Sequence, residues 1–198
     1  METLYHKILE VLALITLIFG FNIPLFWIPV HLYPKFFRKL GILTYIMPFS
    51  TLSLIAFLVF EFREYILIYA VEIPSLLSLI GLVIFIFGVI LHIWTAKLLS
   101  LWGLIGIPEI FPKISSKLIA SGPFSKVRHP TYLAHTMIFL GVFLLTEFVA
   151  VGILTLFDFV MVHTFVIPFE ERELLSRFGK IYEEYKNKVR WRILPGVL

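Results

Sequence analysis

Ser121-Gly122-Pro123-Phe124-Ser125-Lys126-Val127-Arg128-His129-Pro130-Thr131-Tyr132 is a polar stretch set between long apolar runs. Within it fall a Gly-Pro pair, two cations, an imidazole, a second proline and a phenolic hydroxyl. Gly122-Pro123 signals a turn. Pro130 restricts His129 to extended geometry and suits the first turn of a following helix. A helix starting there places free N–H groups and a positive dipole end beside Arg128 and His129. That combination favours an anion or a carboxylate-bearing ligand. The stretch reads as a ligand-binding loop at the mouth of a membrane helix.

Outward from this loop the chain is apolar. Of its 198 residues, 60% are hydrophobic and 15% charged, where a soluble domain is nearer half and a quarter. Mean hydropathy is +0.97. These values predict an all-α integral membrane bundle forming a single membrane domain over residues 1–198. The absence of cysteine excludes disulfides, Cys-ligated zinc, iron–sulfur clusters and a thiol nucleophile. No His-Glu-x-x-His and no compact carboxylate cluster occurs, so no metal is expected. The formal charge of +4 sits in membrane-flanking loops, which points to topology and anionic headgroups and away from nucleic acid.

Five spans are predicted, at about 8–30, 41–60, 74–96, 131–145 and 148–169. Pro24 and Pro29 predict a kink or a re-entrant turn in the first; crossing once and forming a hairpin both remain open. The first three spans occupy residues 1–96. A long mixed loop, 97–129, then leads into a helical hairpin turning at Thr146-Glu147 and a polar tail. Leu175, Phe178, Tyr182, Tyr185 and Val189 recur at spacings of three and four. They form an apolar stripe on a charged, amphipathic tail helix that lies at the membrane surface or folds back on the bundle. Fifteen of the seventeen Lys and Arg residues lie in 31–40, 97–129 and the tail. Five spans put these segments on one side, cytoplasmic by the positive-inside rule, so loop and tail can build one site there.

Arg128 offers a planar fork of donors suited to a carboxylate. His129 donates or accepts. Glu170-Glu171, just after the fifth span, can accept from an ammonium or from ribose hydroxyls. Read singly, Arg128 and Lys126 are headgroup anchors and the glutamates are helix caps. Their clustering on one side favours a site. Asp158, mid-span, is equally a functional carboxyl and a packing residue. His92, His135 and His163 are scattered, and each alone reads as a packed histidine. His135, one turn beyond Tyr132, has the better claim to the site.

The pattern Leu118…Gly122-Pro123-Phe124-x-x-Val127-Arg128-His129-Pro130-x-Tyr132 resembles the motif of the isoprenylcysteine carboxyl methyltransferase family and its phospholipid methyltransferase relatives. Glu170-Glu171-x-x-Leu174, Phe178-Gly179-x-x-Tyr182-x-x-Tyr185, Val189 and Pro195 continue it. The likeness covers Trp102 to Pro195 and leaves the first two spans out. It implies a membrane methyltransferase using S-adenosylmethionine. By position, the cofactor contacts would be Lys117, Leu118, Ile119, Phe124, His129, Pro130, Thr131, Tyr132 and Glu170, with Arg128 and Glu170 as the catalytic candidates. Three positions depart. Phe124 stands where tyrosine is usual, and Ala134 where glycine is common. Val166 stands where the isoprenylcysteine enzymes place an arginine at the methyl acceptor.

The resemblance therefore implies methyl transfer to a lipidic or lipid-anchored acceptor that enters from the bilayer, with isoprenylcysteine carboxyl methylation the leading form. Val166 keeps phospholipid amine N-methylation open. A non-catalytic scaffold or transporter is the reading from another class. Sparse charges in the spans and the absence of an inverted repeat argue against transport.

Overall fold

The fold was analysed in a computed structural model, which describes residues 4–111, 117–194 and 196. Pro195, the last position of the sequence motif, lies outside the described residues. The chain is an all-α membrane bundle. Among the described residues, four helical stretches are long and apolar enough to cross a membrane: Leu4–Leu32, Pro34–Glu61, Ser75–Ile110 and Val149–Phe178. A shorter apolar helix, Pro130–Thr146, lies alongside them.

Helix α1 (Leu4–Leu32) runs unbroken through Pro24 and Pro29. Of the two arrangements left open, a single continuous helix forms and not the hairpin; neighbouring helices let it tolerate the missing N–H groups. α2 (Pro34–Leu40) passes through a tight turn at Gly41–Tyr45 into α3 (Ile46–Glu61), and α4 is the short turn Arg63–Ile66. α5 (Ser75–Leu104) outruns its predicted end at residue 96. It bends at Ser100, whose φ of 62° and ψ of 165° break the helical path. α6 (Ile107–Ile110) follows, so the segment expected as loop is partly helical. A short turn at Gly122–Ser125 then leads into α7 (Pro130–Thr146). α8 (Val149–Met161), a π-helical turn (Val162–Val166) and α9 (Ile167–Phe178) form one rod, and α10 (Lys180–Lys188) closes the helical part of the tail.

The tail departs from prediction in one respect. It is two helices, because Gly179 takes φ 53° and ψ −128°, a backbone that a side chain would strain. The stripe is correspondingly shifted. Tyr182, Tyr185 and Val189 are buried, with Leu118, Leu174 and Phe178 packed on them, while Leu175 is 40% exposed. Of the two predicted placements, the tail takes the second and folds back on the bundle.

α1 is central and packs against α3, α7 and α8; α5 lies along α7. Ala13, Leu17, Val59, Val142, Val151 and Leu154 fill the main core. The α5–α7 seam is set by glycine. A Cβ on Gly141 would sit 2.7 Å from the Phe85 backbone N and 2.8 Å from the Gly81 carbonyl, and one on Gly81 would sit 2.5 Å from Leu144 Cβ. Close helix approach through small residues is how membrane helices gain packing without a hydrophobic driving force. Gly141→Val therefore has to separate two backbones. A loss of about 1–3 kcal/mol is expected. It should appear as a lower detergent melting temperature, and an unchanged melt would show that the seam is loose.

At one end of the bundle, Val71 N–H donates to Glu147 O (2.9 Å) and Val149 N–H to Tyr69 O (3.0 Å), tying the α4–α5 loop to the α7–α8 turn. The opposite end gathers α2, α6, the 117–129 loop and the tail.

Candidate functional site

The loop and the tail meet through their backbones. Arg128 N–H donates to Trp191 O (2.9 Å) and His129 N–H to Arg192 O (2.8 Å). Arg128 then grips the tail with its side chain. Nε donates to Glu171 Oε1 at 2.8 Å, and Nη1 to the carbonyls of Val189 and Arg190 at 2.9 and 2.6 Å. Tyr185 OH donates to Phe124 O at 2.8 Å. Both members of the Arg128–Glu171 pair are buried. Three of the five guanidinium donors of Arg128 are thus spent inside the protein, and its role as expected from sequence, a cation held out to a ligand, is left to Nη2.

His129 sits between the two glutamates. Nδ1 lies 3.5 Å from Glu170 Oε2 and Nε2 lies 3.3 Å from Glu171 Oε1. Arg192 Nη2 adds a 3.4 Å contact to Glu171 Oε2. The π-helical turn inserts itself just before α9 and so rotates Glu170 and Glu171 relative to a regular helix. The His129 ring stacks on Tyr132, with centroids 5.9 Å apart.

Burial pulls the His129 imidazole down, but hydrogen bonds and charge from Glu170 and Glu171 outweigh it, and its pKa is raised above the ordinary 6.5. The protonated ring is therefore favoured by folding. Its stabilising contribution is full below pH 6.5 and is lost as pH rises through the raised folded value. Protease protection of the tail should fall across that upward window, and His129→Gln should remove that component. A pH-independent tail in the parent protein would contradict the charged His129.

A cavity of about 870 Å³ opens beside this junction. Arg128, Lys117, Leu118, Ile119, Phe124, His129, Thr131, Tyr132 and Glu170 all line it. Pro130 does not; it is buried in the first turn of α7. His92 and His135 line the cavity, with rings 4.9 Å apart, whereas Asp158 and His163 do not. Val166 is fully buried, packed with Tyr132, Val162, Ile167 and Ile193, and is likewise away from the lining.

Sequence reasoning missed two contributions. α1, left without a role, supplies Phe19, Asn22, Ile23, Phe26, Trp27 and His31 to the lining. Glu109 of α6 and Arg177 of α9 also line it and pair at 2.9 Å. Arg177 reaches Glu173 Oε2 at 3.4 Å, and Glu173 Oε1 accepts from Arg38 Nη2 at 2.8 Å. The i,i+4 spacing of Glu173 and Arg177 was a readable signal; the long-range partners gave none.

Several buried polar atoms on the lining lack a hydrogen-bond partner among the described residues: both ring nitrogens of His31, Thr131 Oγ1, Glu170 Oε2, Tyr182 OH and Nδ1 of His92 and His135. Native proteins leave few such atoms. Here they converge on one cavity, the pattern of a ligand site. Donors, acceptors and aromatic faces together suit a zwitterionic nucleoside such as S-adenosylmethionine. Among the described residues no cluster of three or more His, Asp or Glu could hold a metal ion.

A 22-residue stretch is 73% identical to a Delta(14)-sterol reductase of Gibberella zeae, covering 11% of this chain and 5% of that protein. The chain thus spans a small fraction of that relative's length. No solved structure matches. The family model for phospholipid methyltransferases matches residues 76–181, which run from the start of α5 into α10 and enclose the Arg-His-Pro loop, both glutamates and the second half of the bundle. On that match, over more than half its length, the chain belongs to the phospholipid methyltransferase family of integral membrane proteins.

Proposed function

We propose that this protein transfers a methyl group from S-adenosylmethionine to a lipidic acceptor, at the cytoplasmic face of the membrane. The observation that carries the reading is the cavity: one end is built by the Arg-His-Pro loop, Glu170 and the tail, and much of the rest by apolar side chains of α1, α5 and α7. A water-soluble donor enters at the polar end and a lipid from between helices.

The donor, when bound, supplies an activated methyl on a sulfonium. The protein's task is then positioning. Glu170, His129, Thr131 and Tyr132 hold the polar end, and Arg128 fixes loop to tail so that these groups converge. Leu118, Ile119 and Phe124 cover apolar faces and exclude water. Fifteen loop and tail cations on that side support the cytoplasmic placement.

Two acceptors fit a lipid route, a prenylated carboxylate and a phospholipid amine. One observation favours the amine. Val166, where an acceptor-side arginine would sit, is packed in the core with no access to the cavity. A carboxylate would find no guanidinium at that position, and the two on the lining, Arg128 and Arg177, are each already paired with a glutamate. A neutral amine needs none, and its proton can leave to an imidazole or to water.

The test is calorimetric titration of S-adenosylhomocysteine into detergent-purified protein, followed by methyl transfer to phosphatidylethanolamine and to a prenylcysteine analogue. Saturable binding with transfer to the amine lipid is expected. A folded sample that binds nothing overturns the reading, and transfer to the prenylcysteine alone reassigns the acceptor.

A further inference from the structure

One part of the cavity wall, on α1, α6 and α9, is built from residues outside the sequence motifs. Glu109 and Arg177 stand on its wall, with Trp27 and His31. Their pairing is incomplete. Glu109 Oε1 accepts from Arg177 Nη2, but Glu109 Oε2 and Arg177 Nε and Nη1 are buried without a hydrogen-bond partner among the described residues. Both side chains are only 16% exposed. His31 is 6% exposed, with both ring nitrogens unpartnered. Its ring stacks on Trp27, centroids 5.0 Å apart and planes 14° from parallel.

Gly106 shows how close these groups lie. It takes φ 78°, and a Cβ built on it would stand 2.5 Å from Trp27 Cη2 and 3.5 Å from Glu109 Oε2. The rim of the indole and the carboxylate therefore both lie against a residue with no side chain. A carboxylate beside an indole is a cation site: the charge pairs and the ring adds a cation–π contact. Next to it, Arg177 has idle N–H groups on Nε and Nη1, which point to different sides of the guanidinium, so each can donate singly to a carboxylate or phosphate oxygen.

The charges decide what kind of ligand fits. Arg38, Glu173, Arg177 and Glu109 form a chain of alternating sign, at 2.8, 3.4 and 2.9 Å, with no net charge. A net anion or cation entering would leave one member of the chain uncompensated, at high cost in a buried site. A zwitterion would satisfy acceptor and donor together.

We propose that Glu109, Arg177 and the Trp27–His31 stack form a zwitterion-binding subsite, in which Glu109 and Trp27 take an ammonium and Arg177 takes the adjoining anionic group. The subsite deepens the methyltransferase reading and rests on it. Two ligands of that reaction carry this chemistry: the amino-acid end of the donor, and the phosphate and amine of a zwitterionic lipid headgroup.

Glu109→Gln and Arg177→Lys separate these sources. Each keeps approximate shape, and melting temperature reports folding. Affinity is measured for S-adenosylhomocysteine, for methylthioadenosine, which lacks the amino-acid end, and for short-chain phosphatidylethanolamine against diacylglycerol of equal length. If the subsite takes the donor's amino-acid end, both variants weaken S-adenosylhomocysteine by about tenfold or more and leave methylthioadenosine nearly unchanged. If it takes the headgroup, nucleoside affinities hold and the preference for phosphatidylethanolamine over diacylglycerol collapses. Folded variants that keep both preferences overturn the subsite, even if they melt earlier, because the network then only anchors α9 to α2 and α6. Failure of the parent protein to bind either nucleoside sinks the donor reading instead, and the lipid measurement still decides the subsite.

Discussion

Arg128→Ala is expected to detach the tail from the bundle while the spans stay folded. The substitution strips Glu171 of its closest partner, at 2.8 Å, and leaves the carbonyls of Val189 and Arg190 without the guanidinium that joins them. Glu171 would keep only the longer contacts from His129 and Arg192, at 3.3 and 3.4 Å. Breaking one side of a buried, hydrogen-bonded pair costs about 3–5 kcal/mol, most of it from the charge left behind. That exceeds what two backbone hydrogen bonds between the loop and residues 191–192 can hold. Limited proteolysis should cut within 180–194, and hydrogen exchange there should rise, with α1, α5 and α7 still protected. Lys126→Ala is the control. Lys126 is exposed two residues away, and removing it should change neither readout. Arg128→Lys should rescue poorly, because one ammonium cannot reach a carboxylate and two carbonyls in the directions a planar fork does. A tail that stays protected in Arg128→Ala would mean that Arg128 serves the headgroups or the ligand and not the fold.

That experiment bears on how a sequence discloses a site. The spans were legible because lipid demands long apolar runs, and the loop–tail pairing was legible because the positive-inside rule put both on one side. The direction of Arg128 was not. An arginine before a helix reads as a ligand group, yet most of its donors turn back into the chain, toward carbonyls sixty residues on that carry no side-chain signature. Pro24 and Pro29 left a single crossing and a hairpin both open, and the continuous α1 was decided by tertiary packing that the local sequence does not show. Gly179 was quoted for its place in the motif, and its positive φ splits the stripe that periodicity alone joined. The Glu109–Arg177–Glu173–Arg38 chain, beyond its i,i+4 Glu173–Arg177 pair, was invisible for a simpler reason. Its members come from three separated segments, and only the fold brings them together. Where local chemistry sets the outcome the sequence discloses it; where a partner lies across the bundle it does not.

Glu170→Gln should act in the reverse manner, lowering affinity for S-adenosylhomocysteine by about 10- to 100-fold with little change in melting temperature. The two neighbouring glutamates are bonded differently. Glu171 is consumed by Arg128, His129 and Arg192. Glu170 is held more loosely, by the 3.5 Å approach of His129 Nδ1 and the neighbouring Tyr132 hydroxyl, and its Oε2 makes no close hydrogen bond among the described residues. Glu170 also lines the cavity, whereas Glu171 does not. An acceptor at a cavity wall with spare capacity is available to what enters. The amide keeps the shape and one acceptor but removes the charge, so the loss falls on an ammonium or on paired hydroxyls of the ligand. Glu171→Gln should give the mirror result, an earlier melt and a protease-sensitive tail. Calorimetry and melting on the same two proteins read the division directly. If Glu170→Gln binds as the parent does and Glu171→Gln does not, the ligand-facing carboxylate is Glu171, and the loop–tail junction itself opens to admit the donor.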